Sequence, residues 1–77
     1  MALIKNITND WSEPVPLPAN EVWQARWGSV FLTTTAEPDP EDGFVLQQGQ
    51  GVLLTAGAQV RYRKDGATSA VIAREAV

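Results

Sequence analysis

The chain has 77 residues and a mass of 8.4 kDa, with six basic and nine acidic side chains, a formal charge of −3, no histidine and no cysteine. That length allows one domain, and the missing residue types exclude disulfides, ordinary zinc sites and the commonest catalytic triads. A pI near 4.6 also disfavours non-specific nucleic-acid binding, which would need a local basic patch.

Size sets a second bound. A chain of this mass exposes roughly 4,600 Å² when folded against about 12,200 Å² unfolded. Burying the apolar part of the difference contributes on the order of 110 kcal/mol, while ordering the chain costs about 115 kcal/mol. The two terms cancel to within a few kcal/mol, so shared surface between copies is the expected source of extra core. No segment has the pattern of a signal peptide or the length to span a bilayer, so a soluble protein with no membrane partner is expected.

Residues 2–8 carry Leu3, Ile4 and Ile7 around Lys5 and Asn6, a pattern that suits a short edge strand or an extended arm better than a helix. Turn formers follow at Asn9, Asp10 and Ser12. Pro14, Pro16 and Pro18 then fix φ and remove every second amide donor, which predicts an extended path that leaves Val15 and Leu17 free to point inward. The segment reads as a surface connector rather than a ligand for a proline-binding domain, since no basic residue flanks it.

From Glu21 to Trp27 the residues alternate, with Val22, Gln24 and Arg26 on one face and Trp23, Ala25 and Trp27 on the other. A strand is expected here, with both indoles in the core or at a subunit seam; an exposed sugar-stacking platform is the competing role. Residues 30–35, reading VFLTTT, are the most strongly β-prone in the chain, with Phe31 on the face opposite Val30 and Leu32.

Residues 36–43 crowd Glu37, Asp39, Glu41 and Asp42 among two prolines. This composition predicts a solvated acidic loop; a calcium site is the sharper alternative, opposed by the lack of a helix-loop-helix ligand pattern and by Pro38 and Pro40. Repulsion among the acids is expected to hold the loop open.

The organising stretch is residues 43–63, GFVLQQGQGVLLTAGAQVRYR, where three apolar runs stand between glycines. Arg61 and Arg63 share one face of the third run and Tyr62 the other. With Lys64 they make the one basic cluster, expected to be a solvated strand face or to meet the acidic loop of a neighbouring copy. Lys64 to Ala67 reads as a hairpin turn centred on Asp-Gly, followed by a last strand over 69–74. Loops this short require antiparallel pairing. The expected fold is all-β: one domain over 1–77, a small antiparallel β-sandwich or partly closed, jelly-roll-like barrel of six to seven short strands, with 1–20 as an arm or edge strand plus connector.

The apolar run before Gly49, the VLL of 52–54, Ala56-Gly57, the VRYR of 60–63 and the VIAR of 71–74 together resemble the back half of small jelly-roll or barrel modules. Such modules occur in accessory proteins of tailed phages and phage-like particles, among them head decorations, spikes and fibre bases. Over residues 43–75 the resemblance implies a repeated structural subunit, a trimer or pentamer that docks on other virion proteins, and hence location in a particle, with the cytoplasm as the alternative. Metal-binding cupins share the half-pattern, but their histidine positions hold no histidine here.

No phosphate-cradling or dinucleotide motif occurs, and no nucleophile sits in a recognisable signature, so neither enzymatic activity nor a cofactor is expected. The expected function is that of a structural or interaction subunit forming a homo-oligomer, with an interface drawn from Trp23, Trp27, Phe31, Arg61, Tyr62 and Arg63. Two alternatives stand beside it: a small carbohydrate-binding module that contacts a surface glycan through Trp11 or Trp23, and a regulatory subunit that binds another protein.

Overall fold

The computed structural model describes residues 1–66 and 69–77. Eight strands form two antiparallel sheets of four: β1 (Ala2–Ile4), β2 (Val15–Pro16), β3 (Glu21–Trp27), β4 (Val30–Thr33), β5 (Phe44–Leu46), β6 (Gly51–Leu54), β7 (Gln59–Lys64) and β8 (Val71–Ala76). The first sheet has the order β1-β8-β3-β6 and the second β2-β7-β4-β5. The chain is a β-sandwich, as its alternation and short loops require. It has eight strands instead of six or seven because the first twenty residues add two short ones, β1 and β2, at matching edges of the two sheets.

That correspondence runs through the whole molecule. Four runs of chain, carrying β1 with β2, β3 with β4, β5 with β6 and β7 with β8, each give one strand to each sheet, and in both sheets they lie in the order first, fourth, second, third. The second and third runs keep their pairing from Glu21↔Leu54 to Leu32↔Phe44 across the fold. The sandwich is therefore one four-run sheet folded over on itself. At the bend of the second run Gly28 takes φ +67°, and a Cβ there would stand 2.5 Å from the Ser69 carbonyl oxygen. Only glycine fits such a corner.

The core lies between the layers. Trp23, Ala25, Ile72 and Leu54 face inward from the first sheet, and Val30, Leu32, Leu46 and Val60 from the second. Ile7, Leu17 and Ala70 close it from the loops. Tyr62 packs partly buried against it, its ring centroid 6.3 Å from that of Trp23.

Three expectations need correcting. Trp27 leaves the inward face: Ala25 opposes Ile72 and Trp27 opposes the adjacent Val71, so β3 carries one extra residue, a bulge at Arg26. Because side chains alternate with period two, the extra residue turns Trp27 outward, where it is 60 % exposed. The strand expected over 30–35 stops at Thr33, whose hydroxyl accepts from the Thr35 N–H and draws the chain out of the ladder. The last strand starts at Val71, two residues later than expected; of the hairpin before it, Ala67 lies outside the described residues.

Candidate assembly interface

The two outer faces of the sandwich differ. On the second sheet, Phe31, Arg63 and Val45 stand in one outward row. The Arg63 guanidinium carbon lies 4.1 Å from the Phe31 ring centroid and 5.1 Å from that of Trp11. Arg63 donates from Nη2 to the Pro40 carbonyl, and Trp11 Nε1 donates to the Asp39 carbonyl at 2.9 Å. The acidic loop is thus drawn down over this face. Its tip is also closed by Asp42, which accepts from the Asp39 N–H at 2.8 Å.

This corrects the electrostatic expectation. Arg63 is engaged by the loop of its own chain, through a backbone carbonyl and two aromatic rings, so it is not left over to bind the loop of a neighbour. Arg61 likewise turns to the Ser12 carbonyl at 3.0 Å, fastening the first run to the fourth. Among the described residues no group of three or more acidic, histidine or cysteine side chains is placed to hold a metal ion.

On the first sheet no loop among the described residues covers the outer face. Its cross-strand rows read Leu3–Ala73–Gln24–Gly51 and Glu75–Val22–Leu53, with Val71–Trp27 beyond the bulge. Leu3, Val22 and Trp27 are exposed, and Leu53 is 62 % exposed. Ala73 is buried on this side, outside the core cluster, and with Gly51 and Val22 it floors a shallow groove of about 200 Å³ that Met1, Gln24, Arg74 and Glu75 also line. Glu75 is the one ionisable residue in these rows, and its carboxylate lies 3.8 Å from the Met1 amino group.

The two lateral edges differ as well. Leu17 donates its N–H to the Ala58 carbonyl at 3.0 Å, so at residues 15 and 17 the amide points toward β7. By alternation the amides of 14, 16 and 18 would point away from the sheet, and all three positions are proline. The alternate prolines therefore remove the donors of a free edge, a known device against edge-to-edge pairing. Across the molecule, the third run has no such guard. Residues 43–60 contain no charged side chain and no proline.

The remaining sequence candidates fall in three environments. Trp23 is 0 % exposed and its Nε1 donates to Glu21 at 3.0 Å, so it can neither stack on a sugar nor reach another subunit. Trp11 is half-buried under Arg63 with its indole N–H already used, which removes it as an open glycan platform. Phe31 lies under the same guanidinium, and Tyr62 belongs to the core margin. Of the named interface residues only Trp27 stands on an open surface.

No family model, curated protein or solved structure matches this chain.

Sequence reasoning missed Leu53, Val22 and the free side of β6. The uncharged interval 43–60 was the available signal, but whether it formed an edge or a central strand depended on the partner of β6.

Proposed function

We propose that this protein works by contact, as a structural subunit that assembles with copies of itself. The observation that carries the reading is the bare outer face of the β1-β8-β3-β6 sheet. Apolar side chains stand in register across four strands there, while on the opposite face the chain's own loop packs over Arg63 beside Phe31 and leaves Val45 exposed. A chain of net charge −3 repels its copies least where it carries almost no charge. The broad dimensions of the molecule, 31 × 26 Å, also give a face of roughly 600–800 Å², near the share each partner contributes to a standard interface.

An accessory place in a phage or phage-like particle is the setting that the jelly-roll resemblance suggests, and capsid or tail genes beside the coding sequence would support it. Sedimentation equilibrium over a wide concentration range tests the assembly itself. The expected result is a mass that is a multiple of 8.4 kDa, reduced toward a single chain by Val22→Lys. A single-chain mass throughout would overturn the reading.

A carbohydrate-binding module is the second reading, now resting on the exposed indole of Trp27 instead of Trp11 or Trp23. Quenching or shift of Trp27 emission by defined glycans, lost in Trp27→Phe, would favour it.

A further inference from the structure

We infer that β6 pairs with β6 of a second copy, antiparallel across a two-fold axis at Val52, joining two four-stranded sheets into one of eight. The inference rests on the self-assembly reading and adds a second contact to it, along the open edge of the same sheet instead of across its outer face. It starts from which way the backbone of β6 points. Ala25 donates to the Gln50 carbonyl at 2.9 Å and accepts from the Gly49 N–H at 2.7 Å, so the odd-numbered residues of β3 direct their peptide groups toward the third run. Their partners Val52 and Leu54 point back. Alternation leaves Gly51 and Leu53 with N–H and C=O aimed away from the sheet.

An edge of this kind can be completed by any extended strand, and three observations select a second copy of β6. The opposite side of the molecule cannot receive it along its length. There Pro14, Pro16 and Pro18 lack the donors, and β1 is three residues long and ends next to Lys5 and Asn6, the latter at φ +58°. The run from 43 to 60 carries no charge, so two copies meet there without repulsion. The edge is also self-complementary in shape. With the axis at Val52, Leu53 of each copy lies opposite Gly51 of the other and the two exchange both backbone hydrogen bonds.

In that register the side chain that is 62 % exposed in the single chain lies over the residue with no side chain, at the mouth of the groove floored by Ala73. Val52 meets its own copy on the inner side in a close, non-hydrogen-bonded pair, with Cα atoms about 4.5 Å apart. Such a spacing is within disulfide reach.

The chain has no cysteine, so a single introduced thiol reports on one position. Val52→Cys is expected to form a disulfide-linked dimer under mild oxidation, whereas Leu3→Cys, exposed on the far edge of the same sheet, stays reduced. Leu53→Pro removes one outward donor per copy and leaves the bonds of Val52 and Leu54 to β3, so it should weaken association about tenfold or more. If the unmodified chain self-associates but Val52→Cys fails to cross-link, or Leu3→Cys cross-links as readily, the β6 seam is wrong and the broader reading survives. If the unmodified chain stays single at every concentration, both are overturned. The thiol variants decide the matter even if the proline variant fails to fold.

Discussion

Glu21 and Arg74 meet along two edges: the guanidinium donates from Nε to Oε1 at 2.8 Å and from Nη2 to Oε2 at 2.9 Å. The same Oε1 accepts the indole N–H of Trp23, over whose ring the guanidinium carbon sits at 5.2 Å. β3 supplies the acid and the indole two residues apart on one face, and the register Trp23↔Arg74 brings in the base. One end of the core is thus closed by a bonded ion pair where an apolar side chain would ordinarily sit.

The hydrogen bonds and charge of Arg74, helped by the Trp23 N–H, hold the Glu21 carboxyl below the ordinary glutamate range despite burial, which pushes the other way. A carboxyl with a lowered folded-state pKa stabilises the fold fully above its unfolded value, near about 4.3, and that contribution fades as pH falls toward the folded value. Thermal unfolding followed against pH should therefore show a loss below about 4.3 that Glu21→Gln flattens. At neutral pH this variant should cost about 2–3 kcal/mol, below the usual figure for a broken buried pair because the Arg74 side chain keeps 23 % exposure. Replacing both partners together, as Glu21→Leu with Arg74→Met, should cost less than Glu21→Gln alone.

Arg63 is held by two rings and one carbonyl, a geometry that a planar guanidinium satisfies and an ammonium does not. Arg63→Lys should lower stability by about 1–2 kcal/mol and free the acidic loop, observed as faster proteolysis between residues 36 and 42 and a change in Trp11 emission. Unchanged loop protection would show that Trp11 alone anchors it.

Pro16 sits on β2 with its nitrogen facing out of the sheet. Restoring the donor in Pro16→Val should leave the fold intact, since no ladder bond depends on that nitrogen, and should increase concentration-dependent association in light scattering. A variant that associates no more than the parent would show that the prolines act only on chain stiffness.

The sequence by itself determined the fold class and most of the strand positions. Alternation at 21–27, the β-prone run at 30–33 and the glycines at 43, 49, 51 and 57 are local signals, read within a few residues of one another. It could not decide which way Trp27 points, because the bulge that turns the indole exists only in the pairing of β3 with β8. Nor could it tell that the prolines block an edge while Gly51 and Leu53 leave one open, since an edge is defined by the neighbour a strand lacks. Glu21 and Arg74 lie 53 residues apart, and Arg63 and Pro40 lie 23 apart. Such meetings are set by register between distant segments, and only the closed sandwich fixes that register.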